Sequence, residues 1–160
     1  MNKITTIAIL TLAIFTGSVH ANKKLSDLGK LILSTSKSAS KLDAENIGKR
    51  AIALQVKWGD EALVVVKKHG VKSMKAIEDA GEHGGTIIRL QKNIGESAIY
   101  LAKNKRGLTL ISKLGDDVAP SLVKHGTSAN DLLKAYGTKA SKALTKVDRK
   151  GCAQLTQLHD

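Results

Sequence analysis

Glycine falls on a fixed beat through most of this chain, and no other feature restricts its fold so tightly. Gly48, Gly59, Gly70 and Gly81 follow one another at intervals of eleven residues, and the beat resumes at Gly84 and Gly95 and again at Gly115, Gly126 and Gly137. Two further units, Asn104 to Leu114 and Asp148 to Leu158, carry their glycine (Gly107, Gly151) at the fourth place behind two basic residues. Within a unit the fourth place is small (Ala51, Ala62, Ser73, Ala98, Ala129, Ala140) and the eighth apolar (Val66, Ile77, Ile111, Leu122, Leu133, Leu144, Leu155). The eleventh is often bulky (Trp58, His69, Ile94, Leu114, His125, Tyr136, Leu158). Those places are i, i+4 and i+7, one face of a helix.

A period of eleven suits two structures. At 3.67 residues per turn one long helix keeps its apolar stripe on one side; lipid-surface proteins such as apolipoproteins and synuclein use repeats that this chain resembles in period alone. The alternative is a string of short helices, each ended by glycine. Twelve glycines stand between positions 48 and 158, and at about 1 kcal/mol each inside a helix they cost a continuous helix roughly 12 kcal/mol. Just past a helix end the same residue is favoured, because it enters the left-handed region freely. Asp60, Thr86, Ser97, Asp116 or Asp117, Thr127 or Ser128, and Thr138 then read as N-caps of the next helix. Acids follow the glycines and Lys67, Lys68, His69, Lys124 and His125 precede them, as the helix dipole prefers. Pro120 fits a first turn capped by Asp117 and would break a helix interior.

The expected fold is therefore all-α: an array of about ten helices of seven to nine residues, each too short to persist alone. Stacked on their neighbours they form an α-solenoid-like array or a compact helical bundle, with Gly81–Gly85 as a kink or joint. Aromatics make up only 2% of the chain, so the core must be built from Leu, Ile, Val and Ala.

Ahead of the ladder, residues 1–21 read as a signal peptide. Lys3 is followed by an apolar run from Ile4 to Phe15, then by Thr16, Gly17 and Ser18, with Val19 and Ala21 as the small residues before a cut after Ala21. The expected location is periplasmic or secreted. Residues 22–47 form a lead-in, with a helix on Leu25, Leu28, Leu31 and Ile32 capped by Ser26, a Ser-rich linker from Ser34 to Ser40, and Asp43 as the cap of a second helix. The repeat domain occupies 48–160.

Chemistry is sparse. No phosphate loop, nucleophile elbow, zinc-protease motif, thiol pair or calcium loop is present. No metal set and no cofactor are implied, and catalysis is less expected than binding. Asp60-Glu61 and Asp116-Asp117 stand at one place of two units, where capping accounts for them; His69 and His125 stand at helix ends, where the dipole does. His83, in Gly-Glu-His-Gly-Gly, breaks the period and is the candidate special residue. Cys152 is the single cysteine; it reads as a buried thiol, or as a route to an oligomer through an intermolecular disulfide.

The formal net charge of +12 favours acidic partners. Lys103, Lys105 and Arg106, and Lys146, Arg149 and Lys150, precede the two offset glycines, and a regularly curving array sets both clusters on one basic face. The expected function is that of an exported helical-repeat scaffold offering this surface to an acidic protein or envelope polymer. A membrane-active protein or toxin that lays its helices on anionic lipid is the alternative, and an envelope hydrolase using His83 and the paired acids the third reading. Sequence-specific nucleic-acid binding is not expected, because aromatic residues are too few for a stacking platform.

Overall fold

The computed structural model describes residues 19–36 and 43–159. Most of the leader reading and most of the serine linker lie outside the described residues. Every regular element among the described residues is helical: α1 (Val19–Ser34), α2 (Ala44–Trp58), α3 (Asp60–Ala80), α4 (Gly84–Ile94), α5 (Lys105–Leu114), α6 (Ala119–His125), α7 (Asn130–Leu144) and α8 (Arg149–His159). Short 3₁₀ stretches at Gly81–His83, Gly95–Leu101, Asp116–Val118 and Gly126–Ala129 lie between them. The chain forms two compact units, the first ending at Lys75 and the second beginning at Ala76.

The first unit is built on a close helix crossing. Gly29 of α1 lies against the backbone of Ala44, and Gly48 of α2 against that of Leu25, so a methyl group at either glycine would overlap main-chain atoms. With no Cβ at the two crossing points the helices approach closely enough to bury Leu25, Ile32, Ile47 and Ala51. Asp43 caps α2, accepting from the Glu45 N–H at 2.9 Å. Ser26 lies inside α1 and starts no helix. The end of α1 docks on α3: Ser36 Oγ accepts from the Val71 N–H at 2.9 Å and donates to the Ile32 carbonyl at 3.2 Å.

The ladder is real, but its glycines divide into two kinds. Positive φ occurs at Gly59, Gly70, Gly81, Gly95, Gly115, Gly126 and Gly137. Where both angles are known they pair that φ with an extended ψ, as at Gly59 (81°, −176°) and Gly115 (90°, 173°). This is the mirror image of a β conformation, a region essentially reserved to glycine, and not the left-handed helical cap expected. Gly48 and Gly107 sit inside α2 and α5 and end nothing.

The expectation of about ten uniform helices is corrected accordingly. There are fewer α-helices. α2 runs 15 residues straight through Gly48, while α3 and α7 carry non-helical breaks at Gly70 and Gly137. Most of the expected caps are corrected too. After Gly95, Gly115 and Gly126 the chain re-enters a helix at once through a 3₁₀ turn with no side-chain cap bond. Ser97, Asp116 and Thr127 thus lie within the turn, too late to accept from its N–H groups. Pro120 does occupy the first turn of α6.

Burial follows the repeat places. Ala51, Ala62, Ser73, Ala98 and Ala129 at the fourth place, and Val66, Ile77, Ile111, Leu122, Leu133 and Leu144 at the eighth, are all buried. The pattern loosens toward the end of the chain, where Ala140 is half-buried and Leu155 exposed. The second unit is also tied by polar bonds between positions 24 to 28 residues apart, about two repeats: Ser141 Oγ to the Asp117 carbonyl, Arg149 to Lys124, Asn104 to Asn130 and Thr156 to Ser128.

Candidate functional site

Two grooves of the second unit meet the expected basic residues, and both are lined by Thr127 and Ser128. These two residues follow Gly126, whose φ of 62° turns the chain out of α6 and toward α7.

The first groove, about 550 Å³, is lined by Lys103, Asn104, Lys105, Arg106, Asn130 and Asp131 besides that turn. Its base is a buried amide pair. Asn130 Nδ2 donates to Asn104 Oδ1 at 3.1 Å, while Asn104 Nδ2 faces Asn130 Oδ1 at 3.4 Å. Asn104 Oδ1 also accepts from the Gly107 N–H at 2.9 Å, capping α5. The cations above it are partly committed: Arg106 pairs with Asp131, and Lys105 Nζ donates to the Asp79 carbonyl at 2.6 Å. Lys103 is exposed.

The second groove, about 500 Å³, is lined by Tyr100, Leu122, Val123, His125, Gly126 and Arg149 with the same turn. His125 ends α6 and is 7% exposed. Its Nε2 lies 2.7 Å from the Leu144 carbonyl. A carbonyl only accepts, so Nε2 carries a proton; Nδ1 is buried with no partner among the described residues. Arg149 Nε donates to the Lys124 carbonyl at 3.1 Å. Lys146 and Lys150 are exposed and line neither groove.

His83 lies apart from both grooves. Its Nε2 is 3.4 Å from Thr109 Oγ1 and 3.7 Å from Glu82 Oε1. The hydroxyl and the carboxylate approach the same ring nitrogen, whereas a base activating a nucleophile needs the acid on the other one. Thr109 Oγ1 also donates to the Lys105 carbonyl at 3.0 Å. The paired acids do other work: Asp60 accepts from Gln55 Nε2 at 2.7 Å, and Asp116 accepts from Arg89 and from Asn93. Among the described residues no three His, Cys, Asp or Glu side chains converge as metal ligands, and no helix is long and apolar enough to cross a membrane.

Cys152 is fully buried in α8, and burial pushes its thiol above the ordinary value of 9.0. A bond from it to a second chain requires α8 to open locally.

Sequence reasoning did not name Asn130 or Tyr100. Nor did it see that the basic excess is denser ahead of these grooves: residues 22–75 hold 12 basic and 5 acidic residues, against 13 and 9 in residues 76–160. A signal for Asn104 was present, since Asn104 and Asp148 each stand three residues before an offset glycine; Asp148 Oδ1 accepts from the Gly151 N–H at 2.7 Å, as Asn104 does from Gly107. Comparison with protein-family models, with curated proteins and with solved structures finds no match.

Proposed function

We propose that this chain is an exported helical-repeat interaction protein, and that the second unit presents a basic surface to an acidic protein or envelope polymer. The observation that carries this reading is the common border of the two grooves. Lys103, Lys105 and Arg106 line one and Arg149 the other, and both grooves include Thr127 and Ser128. An elongated acidic chain laid across that turn meets cations on either side. The repeat supports an α-solenoid-like stacking, because polar ties recur between positions about two units apart and the fourth and eighth places form the core. Such stacks offer long continuous surfaces and serve as scaffolds. Export rests on the leader pattern of residues 1–21.

A membrane-surface role draws less support. The apolar stripe of α1 is used within the first unit, where Leu25 and Ile32 are buried, so the hairpin must open before that stripe meets lipid.

The test is binding of residues 22–160 to an immobilised acidic polysaccharide over a range of salt. Affinity falls as salt rises, since charges are screened beyond about 8 Å at physiological ionic strength. Binding unchanged between low and high salt removes the basic-surface reading. Retention on anionic vesicles with no binding to the polymer favours the membrane reading.

A further inference from the structure

The two grooves differ in one respect that bears on what each can hold. The first contains Asp131, which already pairs with Arg106. Among the described residues the second is lined by no Asp or Glu, and Arg149 is its one formal charge. The guanidinium donates its Nε–H to the Lys124 carbonyl, which fixes its position, and no carboxylate pairs with it among the described residues. Two hydroxyls, of Thr127 and Ser128, stand in the same lining. His125, more than nine-tenths buried, forms part of the wall. Leu122 and Val123 give the groove an apolar wall, and Tyr100 sets an aromatic ring, 74% exposed, at its margin.

We infer that this second groove is a binding site for an acidic sugar unit, a hexose-sized ring carrying a carboxylate. The inference rests on the reading of an acidic partner and names its chemistry. A single guanidinium matches a single carboxylate in charge and, through its remaining N–H groups, in planar geometry. The sugar's hydroxyls find partners in Thr127 and Ser128, and its apolar face covers Tyr100. A volume of about 500 Å³ lies within the range of small-molecule clefts. A bare polyanion satisfies Arg149 and leaves the ring and the apolar wall unused. In a polymer of such units this groove takes one residue, while the cations of the neighbouring groove meet the chain's further negative charge.

The experiment is an amide-shift titration of residues 22–160 with glucuronate, with glucose and with acetate, repeated in Arg149→Gln, Tyr100→Ala and Lys139→Gln. The amide introduced by Arg149→Gln still offers an N–H toward the Lys124 carbonyl, and Tyr100 is exposed, so both variants keep the fold, as their unchanged spectra outside the groove verify. Glucuronate gives saturable shifts centred on residues 122–128 and 149. Its affinity falls at least tenfold in Arg149→Gln and severalfold in Tyr100→Ala, and is unchanged in Lys139→Gln, at an exposed residue of α7 that lines neither groove. Glucose and acetate bind at least tenfold more weakly than glucuronate. Shifts that never saturate, acetate binding as tightly as glucuronate, or equal losses in all three variants overturn the assignment. If in those cases the protein still binds an acidic polysaccharide in a salt-dependent way, the basic surface stands and only this pocket is lost. If that binding is absent too, both readings fall.

Discussion

Lys105 donates from Nζ to the backbone carbonyl of Asp79 at 2.6 Å. Arg149, the matching residue of a later unit, makes the same tie to the carbonyl of Lys124 at 3.1 Å. Each acceptor stands two residues before a glycine of positive φ, Gly81 or Gly126. A basic residue in the first turn of a helix opposes the helix dipole. Here it is placed to satisfy a carbonyl near the C-terminal end of a helical segment about two units earlier, where the dipole is negative. Two of the six basic residues expected to make a surface thus also hold the repeat together.

The roles of Lys105 and Lys103 therefore separate. Lys105→Ala is expected to cost about 1 kcal/mol of stability, the usual net contribution of such a bond. Lys103→Ala, at an exposed site with no such tie, is expected to stay within about 0.5 kcal/mol of wild type. Urea unfolding of the two variants side by side decides it. Equal midpoints mean that the clasp contributes nothing.

The two kinds of ladder glycine fail in different ways. Alanine at Gly115 meets no atom within 4 Å, and its cost is conformational, about 1–3 kcal/mol for a side chain at that φ and ψ. Alanine at Gly48 gains helix propensity, about 1 kcal/mol, but its methyl overlaps the Leu25 backbone. Overpacking of that kind costs about 1–3 kcal/mol or more. D-Alanine separates the causes in chemically assembled protein. At Gly115 it restores most of the stability lost to L-alanine, because positive φ suits a D residue. At Gly48 it restores none. L-Alanine at Gly48 leaving stability unchanged refutes the close crossing of α1 and α2.

How much of this was legible can be traced residue by residue. The small fourth and apolar eighth places are a pattern of side-chain volume, and volume patterns translate directly into burial; Ala62, Val66, Ile77 and Leu133 follow it. Backbone angles are not written so plainly. Gly48 and Gly59 look identical on the beat, yet one is a helical contact and the other a break, and only the chain lying opposite, α1 in the case of Gly48, distinguishes them. The caps misled for a similar reason. Asp116 has the right chemistry for an N-cap, but the chain is already helical when it reaches Asp116, and Arg89 takes its carboxylate. The grooves were least legible: Tyr100, His125 and Arg149 stand 25 and 24 residues apart, a separation set by how the second unit packs and not by the eleven-residue beat itself.

The Asn104–Asn130 pair should act as a unit. Asn104→Ala removes the α5 cap, at a cost of about 1 kcal/mol, and leaves a buried Asn130 amide short of a partner, at about 1–3 kcal/mol. The double variant Asn104→Ala, Asn130→Ala is expected to lose less than the sum of the singles, with a coupling of about 0.5–3 kcal/mol. Strict additivity in a double-mutant cycle by denaturant unfolding means that the amides do not support one another.

Cys152 gives the stability a dependence on pH at the alkaline end. Burial penalises the thiolate, so the folded thiol titrates above its ordinary value of 9.0 while the unfolded one does not. Between those two values the unfolded chain has lost a proton that the folded chain keeps, and stability falls wherever the unfolded state binds fewer protons. The contribution is therefore complete below about pH 9 and is lost as pH rises through the folded value. Thermal melts of the wild type should drop more steeply above that point than those of Cys152→Ala, which lacks the group and carries only a constant cost for its smaller side chain. The thiol should also react with an alkylating reagent at neutral pH only as fast as α8 opens, since thiolate character and access both control such chemistry. Immediate alkylation of the folded protein, or parallel pH profiles for the two proteins, places Cys152 at the surface and restores a disulfide between chains as a route to an oligomer.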